Sequence, residues 1–441
     1  MIFTGAAIAA ATGGTLVADG PAGPVQTDSR RLAPGAWFVA LTGDKFDGHG
    51  FLAHAHAAGC AGAVVSRAPE GWSRGLVVVP DTLAALQDLA RSVRRGFSGP
   101  VVGITGSAGK TSTRVMVVEV LRALGRVHHT EGNLNNHIGV PLTLLATPPD
   151  ADVLVLEMGM NHPGEIALLQ DVGAPDVRVI TNVGAAHVEG CGSVAGVAAA
   201  KQELFDGARP GDVCCVNDDD AWIRGMPVPA GVRVVRYGHG EGCDVRLTDV
   251  AVDPDRLQTR LRVETPLGAV RAVLDVPGAH LAVNAAAAVA VGHALRVPLD
   301  TMGPALARFQ PEGMRNRVER VRGALVLDDA YNANPISMAA ALRTLAALPG
   351  RRIAVLGDML ELGAVEAEAH AEVLRLALSL GLDRVMVTGP RMAAAAPAGV
   401  EVLADADAIV AALAPEVGTG VAILVKGSRG ARMERVIERL R

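Results

Sequence analysis

The segment Val101-Val102-Gly103-Ile104-Thr105-Gly106-Ser107-Ala108-Gly109-Lys110-Thr111-Ser112 joins an apolar run to a glycine turn that ends in Lys-Thr. A chain built around it is held to few folds. A buried strand that stops at glycines and continues as a helix points backbone N–H groups and the positive helix end at an anion. Lys110 adds a mobile cation and Thr111 a hydroxyl for magnesium. The segment therefore reads as a phosphate-binding loop for ATP or GTP, with Gly106, Ser107, Ala108, Gly109, Lys110 and Thr111 as nucleotide contacts. Ile104 stands where the strict spacing has its first glycine, so the loop is a variant. The plainer reading is a glycine turn before a helix with no anion; the Lys-Thr pair after Gly109 argues against it.

Around this loop the 441 residues exceed what one hydrophobic core usually serves, which predicts about three α/β domains. Residues 1–98 alternate short apolar runs (36–41, 63–66, 76–79) with helical stretches (49–58, 81–95), a small α/β domain punctuated by Ser98-Gly99-Pro100. Residues 99–305 repeat strand, loop and helix: 153–156 then 163–169, 177–181 then 193–205, then a strand at 212–216. That alternation predicts a mostly parallel sheet with its site at the carboxyl ends of the strands. Residues 243–276 alternate as antiparallel strands do, and 278–294 return to helix. Residues 306–441 read as a Rossmann-like domain with strands at 325–327, 353–356, 384–387 and 423–425 and no phosphate loop of its own.

Composition excludes several functions. A formal charge of −5 argues against broad nucleic-acid binding, which needs a basic field. Five cysteines, at 60, 191, 214, 215 and 243, show no CxxC spacing, so neither a disulfide framework nor a cysteine zinc site is expected. Met1-Ile2-Phe3-Thr4-Gly5 lacks the basic start of a signal peptide, and the alanine-rich run 281–297 carries Asn284 and His293, too polar to span a bilayer. The expectation is a cytoplasmic protein without stable membrane insertion. Aromatic residues are only 3%, so alanine and valine must fill the cores.

Several polar residues stand at predicted strand exits. Glu157 ends the apolar run 153–156 and suits magnesium; the bland alternative is a capped surface acid. His187 follows another strand and could complete a metal shell, although a lone histidine is as readily structural. Lys201 sits among small apolar helix residues. It reads either as a lysine snorkelling to water or as one desolvated enough to capture CO₂ as a carbamate, which would make it a metal ligand. Asp328-Asp329-Ala330-Tyr331-Asn332-Ala333-Asn334-Pro335, 357–363 and 425–429 are further strand-exit loops, suited to ribose or a cation or to local capping.

Together these segments resemble the Mur ligases of bacterial cell-wall synthesis. The likeness runs through Thr27-Asp28-Ser29-Arg30, Asp47-Gly48-His49, 105–111, Gly132-Asn133-Leu134-Asn135-Asn136, 157–165, 182–190, Ala200-Lys201, 328–335, 357–363 and 426–429, the last three pointing to the members that add a dipeptide. The resemblance implies an N-terminal domain for the UDP end of a sugar nucleotide, a central ATPase domain, and a C-terminal domain that closes over ATP and brings D-alanyl-D-alanine to UDP-N-acetylmuramoyl-tripeptide. Carried over by motif, Lys110 binds the β- and γ-phosphates and Thr111 the first Mg²⁺. Glu157 binds magnesium, and His187 with carbamylated Lys201 holds a second ion. Asn284 contacts adenine. Arg315 or Arg317, and Asp329 or Asp328, reach ATP; Ser29 and Arg30 face uridine, and Asn135 and Asn136 the muramoyl peptide. A monomer is expected.

Two segments depart from the family pattern. His280-Leu281 replaces a His-Asn pair, and Gly313-Met314-Arg315-Asn316-Arg317 blurs a Gly-Arg motif. The competing readings are a Mur-type ligase adding the third amino acid, against which stands the lack of an Asp-Asn-Pro-Arg segment, a folylpolyglutamate synthetase-like relative, and, in another class, a phosphotransferase or nucleotide switch with the same loop.

Overall fold

The computed structural model describes residues 1–43 and 46–441, which divide into two compact units. One comprises residues 1–103, 125–158 and 167–175; the other comprises 104–124, 159–166 and 176–441. The α/β class expected from the sequence holds in both.

In the first unit a five-stranded sheet runs in the order Thr15–Ala18, Gly75–Val78, Gly62–Val65, Trp37–Val39, Val25–Gln26, parallel except for its first pair. The helix Thr82–Gly96 covers one face because Ala85, Leu86, Leu89, Ala90 and Val93 recur at helical spacing and are all buried. Asp81 starts that helix by accepting from the amides of Leu83 and Ala84 at 2.7 and 3.1 Å. Trp37 lies fully buried in this core, its indole N–H donating to the Pro21 carbonyl at 3.0 Å. The unit also holds the parallel pair Val127–His129 and Val153–Glu157.

In the second unit Val177–Ile180, Val213–Asn217, Arg233–Gly238 and Val245–Asp253 pair in parallel succession. Gln258–Thr265 and Gly268–Leu274 then extend Val245–Asp253 as an antiparallel meander, as the alternation at 243–276 predicts. The helix His280–Ala294 is buried almost all round, and its alanines let it lie close against the helix Lys110–Leu121. A six-stranded sheet follows in the order Arg317–Val321, Ala324–Asp329, Val421–Lys426, Arg351–Gly357, Arg384–Thr388, Glu401–Val402, parallel after its first hairpin. Apolar clusters line both faces of this sheet.

All five cysteines are free thiols. Among the described residues no helix is long and apolar enough to cross a membrane. The helix starts differ from the sequence reading by one or two residues: Ser193 is the cap of Val194–Asp206, accepting from the Gly196 amide at 3.0 Å, and the stretch at 163–169 becomes Glu165–Gly173. A four-residue helix at Val188–Cys191, too short for periodicity to reveal, sits between strand and helix.

Candidate active site

The phosphate loop leaves the strand Val101–Thr105 through Gly106, whose φ is 152°. A Cβ there would lie 1.9 Å from Thr181 Oγ1, so no other residue fits. Gly109, at φ 77°, caps the helix Lys110–Leu121 and faces Asn284, whose Oδ1 would be 2.9 Å from an added Cβ. Between them the backbone is gripped by the exit of the neighbouring strand. The Ala108 amide donates to Asn182 Oδ1 at 2.8 Å, while the Ala108 carbonyl accepts from Thr181 Oγ1 at 2.6 Å and from Asn182 Nδ2 at 3.0 Å. The Ser107 amide donates to the Asn182 carbonyl at 3.0 Å, and Ser107 Oγ donates to the Gly184 carbonyl at 3.2 Å. Lys110 Nζ donates to the Gly106 carbonyl at 2.7 Å, folding the cation over the loop.

Lys201 is only 1% exposed on its helix and, among the described residues, has no hydrogen-bond or ion-pair partner. Burial, with the Lys110 cation adding to it, holds its amine well below the usual lysine range. The snorkelling alternative is thereby set aside: the side chain is dry. His187 sits in the left-handed region at φ 58°, and its Nδ1 is 2.5 Å from Glu361 Oε2. That hydrogen bond holds the Glu361 carboxyl below its ordinary value. A carboxylate can only accept, so Nδ1 carries a proton. Thr111 opens the loop helix, buried.

The C-terminal sheet reaches this loop as well. Asn334 caps the helix Pro335–Ala346 through the Ser337 amide at 2.9 Å, and its Nδ2 donates to the Ser107 carbonyl at 3.0 Å. Lys426, buried, bonds Asp329 Oδ2 at 2.5 Å and the Asn332 carbonyl at 2.9 Å, and Asp329 Oδ1 accepts from the Asn316 amide at 3.0 Å. Burial pushes the neighbouring Asp328 carboxyl up to about 6, and burial pushes His280 down to about 4. The Arg315 guanidinium stacks 3.6 Å over the Tyr331 ring, whereas Arg317 starts the edge strand and pairs with Glu319 at 3.6 Å. The structure thus gathers Lys110, Lys201, Asn284 and the loops at 182–187 and 328–335 in one unit.

In the first unit Glu157 ends its strand at 1% exposure, its Oε1 accepting from Asn135 Nδ2 at 2.9 Å and its amide donating to Thr130 Oγ1 at 3.0 Å. Asn136 Oδ1 accepts from the amides of Ile138 and Gly139, in the turn that leads into the helix Gly139–Leu145. Ser29 is buried on a short helical turn capped by Asp28, and Arg30 forms a two-point pair with Asp28 at 2.9 and 2.8 Å while remaining largely in water. The Arg30 contact draws the Asp28 carboxyl down to about 2. His49 is a buried strut: Nδ1 meets Asp47 Oδ1 at 2.6 Å, and Nε2 accepts from the Ser66 amide at 3.0 Å.

Sequence reasoning missed the Asn182 and Asn334 clamps and the Glu361 partner of His187. Asn182 and Asn334 sit in turns where amides usually cap, and Glu361 lies 174 residues from the histidine it holds. Among the described residues no three His, Cys, Asp or Glu side chains gather to hold a metal ion by themselves.

A glycine-turn phosphate loop clamped at strand exits of an α/β sheet defines a nucleotide-binding enzyme. The Mur ligase middle domain matches residues 104–292, and the Mur ligase glutamate ligase domain matches 315–429. The chain is 40% identical over 423 residues to UDP-N-acetylmuramoyl-tripeptide–D-alanyl-D-alanine ligase of Escherichia coli, covering 94% of this chain and 93% of that one. It superposes on MurF of Acinetobacter baumannii with a TM-score of 0.92 at 31% identity, covering 100% of this chain and 99% of that chain. Against MurF of Thermotoga maritima, solved in complex with ADP, the TM-score is 0.87 at 31% identity, covering 95% and 97%. The chain belongs to the Mur ligase family, and it is an ATP-dependent ligase that forms amide bonds.

Proposed function

We propose that this enzyme joins D-alanyl-D-alanine to UDP-N-acetylmuramoyl-tripeptide in peptidoglycan precursor synthesis, through an acyl phosphate. The observation that carries the chemistry is Lys201, buried and without a partner among the described residues, in the same unit as a clamped phosphate loop. A carboxylate is a poor electrophile. Its oxygen attacks the γ-phosphorus of ATP, the bond to ADP breaks, and the mixed anhydride carries a good leaving group. The amine of the dipeptide then attacks the carbonyl, loses a proton, and phosphate departs. Lys110, folded over a loop held in shape by Asn182, would supply the cation that neutralises the charge developing on the transferring phosphoryl group.

The residues of the second unit fit magnesium if Lys201 is carbamylated. A neutral dry amine adds CO₂ and releases a proton, turning a would-be cation into an anionic oxygen ligand, and no other side chain bonds its Nζ among the described residues. Thr111 would hold the first Mg²⁺ and His187 with carbamylated Lys201 a second, and the resemblance adds Glu157 as a magnesium ligand; bound, the metal neutralises phosphate charge. By the same reading Asn284 contacts adenine, Arg315 and Asp329 reach ATP, Ser29 and Arg30 meet the uridine end, and Asn135 and Asn136 the muramoyl peptide. The domains are assigned as 1–98, 99–305 and 306–441, and the enzyme works as a cytoplasmic monomer.

A phosphate-release assay tests this. Turnover is expected only when UDP-N-acetylmuramoyl-tripeptide and D-alanyl-D-alanine are both present. Release with a single amino acid in place of the dipeptide, or stable transfer of phosphate to one substrate, would overturn it.

A further inference from the structure

His187 and Glu361 meet from different sheets of the second unit. The histidine follows the strand Val177–Ile180, and the glutamate lies on the loop after Arg351–Gly357. Both residues hold the left-handed backbone conformation without being glycine, at φ 58° and 64°. Such conformations are strained for residues with a Cβ and persist where surrounding contacts fix them. The fixing contacts run along the loop. Asp358 Oδ1 accepts from the Met392 amide at 2.8 Å, the Met359 amide donates to His370 Nε2 at 3.0 Å, and the Leu360 amide donates to Ser428 Oγ at 2.9 Å. Three successive residues are thus tied to three different elements, and the fourth, Glu361, is delivered to His187.

The delivery has two points. The Glu361 side chain accepts from His187 Nδ1 at 2.5 Å, and its backbone carbonyl accepts from the Glu189 amide at 3.1 Å. The backbone bond docks the loop on the short helix Val188–Cys191; the carboxylate does something else, since it selects one imidazole tautomer and one ring orientation. A free neutral histidine divides itself between two tautomers and two ring flips, and a carboxylate on Nδ1 removes that choice and makes Nε2 the better donor.

We infer that Glu361 is the positioning residue that readies His187 Nε2 as a metal donor, so that docking of the C-terminal sheet on the Val188–Cys191 turn completes the magnesium site. This rests on His187 being a ligand, as proposed above. One consequence is that an undocked C-terminal sheet leaves the second ion weakly held, which keeps phosphoryl transfer from starting while water has access to the anhydride.

The test is a Mn²⁺ titration of the full chain in bicarbonate buffer with ADP, following free Mn²⁺ by electron paramagnetic resonance. His187→Ala identifies the ion concerned. Glu361→Ala is expected to weaken that same ion about 10- to 100-fold. Glu361→Gln keeps an acceptor for Nδ1–H and is expected to lose less. Because the carbonyl bond to Glu189 is unchanged in both variants, the loop stays docked, and KM for the dipeptide should stay within about twofold while kcat falls and recovers at high Mg²⁺. Wild-type Mn²⁺ affinity in Glu361→Ala, with loss in His187→Ala, would overturn the positioning role alone. Losses as large in Glu361→Gln as in Glu361→Ala would also overturn it. Wild-type affinity in His187→Ala would remove the ligand role of His187 itself, and this inference with it.

Discussion

Asn182→Ala tests whether the phosphate loop works because it is held in advance. The substitution removes the acceptor of the Ala108 amide (2.8 Å) and one of two donors to the Ala108 carbonyl (3.0 Å), leaving Thr181 Oγ1 at 2.6 Å. One amide is then left to water at a half-buried site, which costs about 1–2 kcal/mol of stability. The kinetic effect should be as large: a loop whose backbone is no longer held by Asn182 loses its fixed shape around the anion, and kcat/KM for ATP is expected to fall about 10- to 100-fold, equivalent to about 1.4–2.8 kcal/mol. Asn182→Asp sharpens the test. It keeps an acceptor for the Ala108 amide but sets a second oxygen against the Ala108 carbonyl and a negative charge under an anion-binding loop. Its ATP kinetics should therefore be worse than those of the alanine variant even if its melting temperature is no lower. Initial rates of phosphate release with ATP varied, alongside thermal melts, read both effects. An alanine variant with wild-type kcat/KM for ATP would refute the reasoning.

Lys110→Ala should abolish phosphate release while thermal melting stays near that of the parent, since the lysine's contact with the Gly106 carbonyl is local. Lys201→Ala should lose activity by a factor of about 10² or more, and an added short carboxylic acid should restore part of it; unchanged turnover would remove the carbamate. Asp328, buried with its pKa raised from 3.8 to about 6, binds more protons folded than unfolded between those values, so its contribution to stability is lost as pH rises through that window. Asp328→Asn should accordingly melt higher than the parent at pH 7.5 and about the same at pH 4, as measured by calorimetry.

The fold was legible where local rules and burial agree. The helix Thr82–Gly96 announces itself by spacing and by Asp81, and the meander at 245–274 by strict alternation. The loop at 106–111 was readable because Gly, Lys and Thr at those places have few other uses. Lys201 could be read two ways, and only its burial chooses between them. What the sequence hides is pairing across distance. Nothing in the text around Asn334 says that its amide reaches Ser107, 227 positions earlier, and nothing near His187 names Glu361. Asn136 carries the opposite lesson, since the structure gives it local hydrogen bonds to the Ile138 and Gly139 amides that any turn asparagine can make.

The chain has three tryptophans, and they are unevenly shared: Trp37 and Trp72 lie in the first unit, Trp222 in the second. Trp37 is wholly enclosed and Trp222 is 46% exposed. Intrinsic fluorescence therefore carries a partial address: short-wavelength emission from Trp37 reports the first unit, the half-buried Trp72 adds to that unit's signal, and Trp222 is the most quencher-accessible of the three. Unfolding of the nucleotide loop's own unit will pass almost silently in the blue channel, so an optical melt of this enzyme needs a second probe, such as circular dichroism, before a single transition is assigned to the whole molecule.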